Sequence, residues 1–346
     1  MNDIYAALPT ALLPWYRSNK RDLPWRYDKD PYHIWLSEIM LQQTRVEAVK
    51  SYYNRFISYL PDIVSLANAD DELLHKLWEG LGYYSRVRNL KKAAEEIIQS
   101  YNGIFPQDYK TVLGLPGIGV YTAGAICSIA FNQPTPAVDG NVLRVISRLT
   151  DDDTPIDLLS FREQVRDELS AIYPKEAGEF TQALMELGAT VCGPNRKPDC
   201  GNCPCFELCK SRISGRAEIL PVRQPKRQRR VEELTVLILN DNGKFALEKR
   251  PDKGLLAGLW QFPNVSGHLS PEETVAWTEQ HGMKPKNLLR QINRKHIFTH
   301  IEWKMQGVYL DVSSDTDRFV WMTREEIGRD AALPTAFRQF YEEIDY

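Results

Sequence analysis

The amino-acid sequence predicts an all-α domain over residues 1–215, followed by an α+β domain over residues 232–346. Up to about residue 215, apolar residues recur at helical spacing in segment after segment, without the alternation of a half-buried strand. Beyond residue 231, short strand-like stretches appear beside turn residues, together with one helical pattern. A chain of 346 residues is long enough for two separate cores.

The helices of the first domain follow from its apolar periodicity. Short turns separate them, as at Asp30-Pro31, Leu60-Pro61 and Asn102-Gly103, where the residue types favour a break. The predicted helices are Ile34–Gln43, Val46–Tyr59, Asp71–Glu79, Arg86–Tyr101, Val120–Phe131 and Asn141–Leu149.

Residues 216–231 contain prolines and no periodicity, which predicts a linker. A run of basic residues lies here, and we interpret it as a solvated linker rather than a dedicated phosphate contact. The run consists of Arg223, Lys226, Arg227, Arg229 and Arg230.

The second domain opens with two strand-like stretches, Leu234–Leu239 and Lys244–Lys249, on either side of Asn-Asp-Asn-Gly. This pattern is typical of a β-hairpin. Further strands are predicted at Gln291–Thr299, Glu302–Leu310 and Arg318–Trp321, and a helix at Pro271–Gln280.

Composition excludes some classes of protein. No apolar run approaches the roughly 18 residues that span a bilayer, and the amino terminus lacks the features of a secretory signal. We therefore expect a cytoplasmic protein without membrane association. The net charge of −3 argues mildly against a nucleic-acid partner, although a local basic patch can bind DNA on a near-neutral protein.

Five of the six cysteines fall between Cys192 and Cys209. Such clustering indicates a metal site rather than a disulfide framework. Cys192, Cys200, Cys203 and Cys209 form the pattern C-x7-C-x2-C-x5-C, which suits either zinc or a [4Fe–4S] cluster. Cys205 could replace one ligand, though its spacing fits less well, and Cys127 is expected in the core.

The segment LPGIGVYTAGAI runs from a turn with Gly117 and Gly119 directly into a helix. Backbone N–H groups at such a helix start can bind a phosphate, although the turn alone is equally typical of a plain connection. The following segment, AVDGNVLRV, places Asp139 just before the next helix. Without further context, Asp139 is expected to be an N-cap.

Taken together, these segments resemble a known superfamily. LPGIGVYTAGAI, VDGNVLRV and a downstream cysteine cluster are similar to the endonuclease III superfamily of helix-hairpin-helix base-excision enzymes. SEIMLQQTRV (37–46), LPWR (23–26) and WEGLGYYSRVRNL (78–90) resemble the MutY family of adenine DNA glycosylases. Residues 232–346, with GLLAGLWQFP (254–263), resemble the family's MutT-like, or Nudix-like, domain. The resemblance covers nearly the whole chain.

Breaking an N-glycosidic bond requires a proton on the leaving base and negative charge near the developing sugar cation. By resemblance, Glu38 protonates adenine, and Asp139 stabilises or covalently captures the sugar cation. Glu38 lies in the apolar stretch Ile34–Leu41, where burial would raise its pKa; a solvent-facing position is the alternative for a helical Glu.

Tyr121 and Asn141 would position the two carboxyl groups, although they could be a packed aromatic and a turn residue. Bifunctional members of the superfamily carry Lys where this chain has Tyr121. A tyrosine cannot form the Schiff base that leads to strand cleavage. The chain is therefore expected to remove a base without efficient AP-lyase activity.

The target base must leave the duplex. The resemblance implies that Gln43 and Tyr83 wedge into the DNA opposite the lesion, and that Trp25 and Arg26 lie near the adenine pocket. The motif Phe298-Thr299-His300 is expected to contact 8-oxoguanine, the alternative being a strand pair with an incidental histidine.

The resemblance also implies that the four cysteines bind a [4Fe–4S] cluster, although the family's first spacing is usually one residue shorter than Gly193–Asp199 gives here. The cluster loop would direct Arg196 and Lys197 toward DNA phosphates. The Nudix metal-binding helix is incomplete. Aligned on Gly282, it has Val275 and Ala276 in place of Arg and Glu, and Glu279 is followed by Gln280.

The sequence thus predicts a monomeric, monofunctional adenine DNA glycosylase that acts on duplexes with 8-oxoguanine·adenine or guanine·adenine mispairs. Three alternatives are a thymine- or pyrimidine-damage glycosylase, a non-catalytic damage-binding protein and a nucleotide pyrophosphohydrolase. Tyr121 and the second domain speak against the first, and the presence of both Glu38 and Asp139 speaks against the second. The incomplete Nudix helix speaks against the third.

Overall fold

A computed structural model describes residues 3–194, 197–225 and 228–344 of the chain. The chain divides into two compact units. The first consists of Met1–Asn68 and Asn89–Pro225, and the second of Ala69–Arg88 and Lys226–Tyr346. Each unit has a hydrophobic core of its own.

The described residues form helices along most of the first unit and both helices and strands in the second. The helices are α1 (Asp3–Asn19), α2 (Pro31–Leu41), α3 (Val46–Tyr59), α4 (Ile63–Asn68), α5 (Asp71–Leu77), α6 (Ser85–Tyr101), α7 (Tyr109–Gly114), α8 (Val120–Phe131), α9 (Gly140–Thr150), α10 (Leu159–Ser170), α11 (Ala177–Thr190), α12 (Lys210–Ile213), α13 (Pro271–Gln280), α14 (Arg324–Asp330) and α15 (Thr335–Tyr341). The strands are β1 (Arg230–Asp241), β2 (Lys244–Lys249), β3 (Trp260–Gln261), β4 (Asn264–Ser266), β5 (Met283–Ile297), β6 (Ile301–Ser314) and β7 (Val320–Thr323). Two 3-10 turns lie at Pro24–Arg26 and Cys200–Asn202.

Helix α8 lies at the centre of the first unit and packs against α2, α7 and α11. Its residues from Thr122 to Ile129 are all buried, as expected for a helix whose sequence is apolar on every side. Helix α9 is similarly buried from Val142 to Leu149 and packs on α11. This packing places the amino-terminal ends of α8 and α9 on one cavity.

The predicted helices are present, and the bounds of α3 and α8 agree with the sequence pattern. The pattern did not identify α1, α4, α7, α10, α11 or α12 in the first unit, or α14 and α15 in the second. In α1, Pro9 and Pro14 interrupt the residue types of a helix interior, and tertiary packing outweighs that weak local preference.

The second unit contains a mixed sheet in the order β3-β2-β1-β6-β5, with β4 also paired to β1 and β7 to β2. β1 runs parallel to β6 and antiparallel to β2, and β5 runs antiparallel to β6. The predicted hairpin is present. Asn240 pairs with Phe245, and the positive φ angles of Asn242 (52°) and Gly243 (82°) suit its tight turn.

The division into units differs from the predicted domain bounds in two places. Residues 69–88 group with the second unit, because Glu79 accepts from the backbone N–H of Leu333 at 3.0 Å and pairs with Arg338 at 2.6 Å. The first strand begins at Arg230, inside the stretch predicted as a linker. Periodicity along the chain carries no information about the contact between Glu79 and Leu333, which lie 254 positions apart.

No helix formed by the described residues is long and apolar enough to span a membrane.

Candidate active site

A cavity of about 600 Å³ lies in the first unit, beside α2, α11 and the starts of α8 and α9. It brings together seven of the residues that the sequence singled out, from segments spread over more than a hundred positions of the chain. They are Trp25, Arg26, Glu38, Gln43, Tyr121, Asp139 and Asn141.

Glu38 is buried on α2, with 7% of its surface exposed. The Tyr121 hydroxyl donates to Oε2 of Glu38 at 2.6 Å. Burial raises the pKa of Glu38 to about 7 and Asp139 adds to the rise, while the Tyr121 hydrogen bond and the charge of Arg26 oppose it. Glu38 is therefore a carboxyl group that can hold a proton near neutral pH, as the apolar stretch around it predicted.

Asp139 caps α9 and lines the cavity at the same time. Its Oδ1 accepts from the backbone N–H of Val142 at 2.8 Å, and its Oδ2 accepts from the side-chain amide of Asn141 at 2.7 Å. Burial raises the pKa of Asp139, whereas these hydrogen bonds and the charge of Arg144 lower it. The N-cap interpretation is confirmed, and it is compatible with the exposure of the same carboxyl group to the cavity.

Asn141 is held in place from behind. Its side-chain oxygen accepts from Arg144 Nη2 at 2.8 Å, and the same guanidinium donates to the carbonyl oxygens of Gly188 at 2.8 Å and Cys192 at 2.9 Å. A Cβ on Gly188 would lie 2.7 Å from Cβ of Asn141, so only glycine allows this approach. Asn141, whose amide donates to Asp139, is thus connected through the guanidinium of Arg144 to the start of the cysteine loop.

The turn before α8 has the conformation that its glycines predicted. Gly117 has a φ of 76°, and a Cβ there would lie 2.6 Å from Cβ of Asn89. Gly119 is the N-cap residue of α8 and has open space around its Cα. The helix therefore begins with exposed backbone N–H groups, the arrangement that favours an anion.

Trp25 and Gln43 lie on the same cavity in different environments. Trp25 is buried and packs edge-on against Tyr53, with ring centroids 5.5 Å apart. Gln43 follows the end of α2 with a φ of 61°, a left-handed conformation that non-glycine residues adopt rarely and mostly at constrained sites.

The sequence analysis missed several cavity residues, above all Arg21 and Glu186. Glu186 lies in the apolar helix sequence FTQALMELGAT, the same kind of context that identified Glu38. Arg144 follows three residues after Asn141 and is buried in α9, so it shares a face of that helix with Asn141.

A second cavity, of about 420 Å³, lies in the second unit and holds the other predicted residues. Tyr83, Phe298, Thr299 and His300 all line it. The Tyr83 hydroxyl and Thr299 Oγ1 are hydrogen-bonded at 2.8 Å. Tyr83 has a φ of 48°, and its ring is 47% exposed, so an aromatic surface is held facing solvent in a constrained backbone conformation.

The sequence predicted a strand through Thr299, but β5 ends at Ile297, and residues 298–300 form the turn to β6. The turn is closed by Phe298 N–H donating to Ile301 O at 2.8 Å. Arg229 Nε donates to Phe298 O at 3.1 Å, so part of the basic run supports this turn. Lys226 and Arg227 of that run lie outside the described residues.

Four cysteines line a small cavity of about 20 Å³ between α9, α11 and the cysteine loop. They are the predicted set, Cys192, Cys200, Cys203 and Cys209, whereas Cys205 is buried outside the lining. Arg148 Nη1 donates to Sγ of Cys192 at 3.2 Å. Within the described ranges, no group of three or more His, Cys, Asp or Glu side chains is arranged to hold a metal ion.

Lys197, expected to face DNA with its neighbour, pairs with Glu218 at 3.0 Å and is highly exposed. Arg196 lies outside the described residues.

Two family descriptions match the chain. Residues 36–167 match "HhH-GPD superfamily base excision DNA repair protein", and residues 234–343 match "NUDIX domain". The predicted combination of a helix-hairpin-helix glycosylase domain with a Nudix-like α/β domain is therefore confirmed.

Curated relatives extend the similarity over nearly the whole chain. The chain is 35% identical to adenine DNA glycosylase of Mus musculus over 415 residues, which cover 97% of the chain and 77% of that protein. It is 33% identical to adenine DNA glycosylase of Buchnera aphidicola subsp. Baizongia pistaciae, with 90% and 89% covered.

Among solved structures, a thermostable thymine-DNA glycosylase is 28% identical, with a TM-score of 0.56 over 63% of this chain and 99% of that one. A non-covalent endonuclease III–DNA complex has 24% identity and a TM-score of 0.51, with 63% and 96% covered, which shows a common fold.

Proposed function

The chain belongs to the adenine DNA glycosylase family, and we propose that it is a monofunctional enzyme of base excision repair that removes adenine opposite 8-oxoguanine or guanine. The observation that carries this proposal is the first unit's cavity, where the buried carboxyl group of Glu38 and the half-buried one of Asp139 lie in different hydrogen-bond environments. Double-stranded DNA that contains the mispair is the partner, and the adenine must be flipped out of it to reach this depth.

Glu38 is the proton donor in this mechanism. Its pKa of about 7 leaves a large protonated fraction at neutral pH. As the N-glycosidic bond breaks, its electron pair moves to the base, and the proton of Glu38 goes to a ring nitrogen of adenine. The base then departs neutral, which lowers the barrier to its loss.

Asp139 provides the negative charge that the sugar requires. Val142 N–H and the Asn141 amide donate to its two oxygens and stabilise the carboxylate. This charge stabilises the oxocarbenium ion or captures it covalently, and water completes the hydrolysis. Asn141, held by Arg144, sets the direction in which the carboxylate points.

Strand cleavage would require an amine to attack the sugar. No lysine is present among the described residues that line the cavity, and Tyr121 occupies the position where bifunctional relatives carry one. The Tyr121 hydroxyl instead donates to Glu38. We therefore propose that the product is an intact abasic strand.

The second unit's cavity is proposed to read the lesion base. Phe298 and Tyr83 offer ring surfaces, and the hydroxyl groups of Tyr83 and Thr299 can donate to or accept from the edge of a base. The Nudix-like domain would act in recognition rather than hydrolysis. At the position of the Nudix metal helix, Glu273 of α13 is used in a capping box with Ser270, and Val275 is exposed.

The cysteine cavity supports the proposal of a [4Fe–4S] cluster held by Cys192, Cys200, Cys203 and Cys209. The chemistry of the donor set fits, because four thiols meet on one cavity beside the cation of Arg148. The cavity is small, so the side chains around it must move apart to seat a cluster. When bound, the cluster would cross-link the loop through four thiolates. The Cys203→Ser variant should lose iron and acid-labile sulfide, and Cys205→Ser should retain both.

The decisive experiment measures adenine release in single turnover from duplexes with 8-oxoguanine·adenine, guanine·adenine and thymine·guanine. We expect the fastest release from the first, slower release from the second and no thymine release from the third. Thymine release comparable to adenine release would instead support a thymine glycosylase. Hydrolysis of 8-oxo-dGTP by the purified protein would contradict a recognition role for the Nudix-like domain.

A further inference from the structure

Glu186 on α11 is a third carboxyl group of the active-site cavity, and the mechanism above does not use it. Its side chain is 0% exposed. Oε1 accepts from the backbone N–H of Arg21 at 3.0 Å and from its Nε at 2.7 Å. Oε2 accepts from Arg21 Nη2 at 3.0 Å and from Arg26 Nη2 at 2.8 Å.

Arg26 lines the same cavity as two buried carboxyl groups, Glu38 and Glu186. Its guanidinium is directed to Glu186 by the contact above and by Nη1 donating to Arg21 O at 3.1 Å. The ring of Tyr16, with its centroid 5.7 Å from the guanidinium carbon, also lies against it. Arg26 makes no hydrogen bond to Glu38, although its positive charge lowers the pKa of that carboxyl group.

The two carboxyl groups respond to this arrangement in opposite ways. Burial acts to raise the pKa of both. For Glu38 burial prevails and the pKa rises to about 7. For Glu186 the hydrogen bonds from Arg21 and Arg26 outweigh burial and lower the pKa to about 2. The direct contacts with cations, rather than the degree of burial, therefore give the two carboxyl groups their different pKa values.

We propose that Glu186 is a positioning residue that holds Arg26 away from Glu38, so that Glu38 keeps the proton required by the leaving base. This inference rests on the proposed function, because it takes Glu38 to be the proton donor. As a positioning residue, Glu186 does not itself contact the reacting atoms. It competes with Glu38 for the cation.

Other charged and titratable groups line the cavity together with Glu38. From the elements around the cavity they are Tyr121 on α8, Asp139 at the start of α9, Arg162 on α10, Glu186 on α11, and Arg21 and Arg26 near the first 3-10 turn. Of these, Tyr121, Asp139 and Arg26 act directly on the pKa of Glu38. Arg26 is the one cation among these three, and its charge lowers the pKa of Glu38 against the effect of burial.

The test compares the pH dependence of single-turnover adenine release for the wild type and E186Q on an 8-oxoguanine·adenine duplex. In E186Q the glutamine carries no charge, and Arg26 is free to approach Glu38. An opposite charge within about 4–6 Å lowers a carboxyl pKa by about 1–3 units. The loss of activity on the alkaline side should therefore move to lower pH by at least about one unit.

Three further variants show whether the effect passes through Arg26 and depends on the charge of Glu186. In the R26M background, Glu186 still binds Arg21 but has no Arg26 to hold away from Glu38, so R26M and the double variant E186Q/R26M should lose activity at the same pH. E186D retains the charge on a shorter side chain, so it should shift in the direction of E186Q by a smaller amount.

A slower E186Q enzyme with the wild-type pH profile would overturn the proposal. A purely structural role of Glu186 would lower the rate without shifting the pH at which activity is lost on the alkaline side. If E186Q does not fold, E186D decides, and a profile that coincides with the wild type overturns the proposal. A wild type that releases no adenine at any pH contradicts the proposed function instead, so the two failures are distinguishable.

Discussion

The two cavities of the molecule differ in what they place on their walls. The cavity of the first unit is lined by three carboxyl groups, Glu38, Asp139 and Glu186, two of them with raised and one with lowered pKa. The described lining of the second unit's cavity has no Asp or Glu. It combines aromatic rings, hydroxyl groups and histidines with aliphatic side chains and one cation, Arg88. Charge held out of water is suited to bond cleavage, whereas rings and neutral polar groups are suited to reading a base.

The largest effect is expected from Asp139→Asn, which removes the charge from the first cavity. Adenine release should fall by roughly 10³-fold or more, because the sugar cation loses its carboxylate. Asparagine is as good an N-cap as aspartate, so α9 should remain intact. Single-turnover kinetics, duplex binding and the melting temperature test this. Normal release would show that the carboxylate is only a cap.

Glu38→Gln should reduce release by about 10²–10⁴-fold. The wild-type rate should decline as pH rises through about 7, because the pKa of Glu38 is about 7 and the protonated form is lost above it. The residual activity of E38Q should show no such decline. If the release rate of E38Q still declines with rising pH as the wild-type rate does, a group other than Glu38 is responsible for that decline.

Changing the second cavity should alter selectivity rather than chemistry. A variant with Phe298→Ala, Thr299→Ala and His300→Ala should lose the preference for 8-oxoguanine·adenine over guanine·adenine while still releasing adenine. His268→Ala, an exposed histidine of the same unit, is the matched control. Full preference in the triple variant would show that the turn does not read the lesion.

The smallest effect is expected from Tyr121→Phe. The Tyr121 hydroxyl donates to Glu38 and lowers its pKa, so removing that hydroxyl should raise the pKa further. The alkaline limb of release should move to higher pH by up to about one unit, which corresponds to a tenfold change in proton affinity. A limb that moves to lower pH would contradict the hydrogen-bond role of Tyr121.

The environment of a residue could be predicted from the sequence where it depends on neighbouring positions in the chain, and not where it depends on distant ones. Glu38 could be predicted to be buried because six apolar residues accompany it in the stretch Ile34–Leu41 of one helix. The same signal was present for Glu186, yet its role could not be predicted, because Arg21 and Arg26 lie 165 and 160 positions away. The turn at residues 298–300 was predicted to be partly strand, because its residue types also suit a β-strand and only the pairing with β6 ends β5 at Ile297.

The sequence by itself determined the helical and mixed domains, the hairpin glycines and the cysteine set from their local patterns, and it identified several residues of both cavities by resemblance to a known family. Tertiary structure decided which of these residues meet, and in which state. The sequence contains Glu38 and Glu186 in similar apolar helices, but the fold brings Arg21 and Arg26 against Glu186. The charge of a buried carboxyl group depends on its nearest partners in space, which periodicity along a chain does not specify.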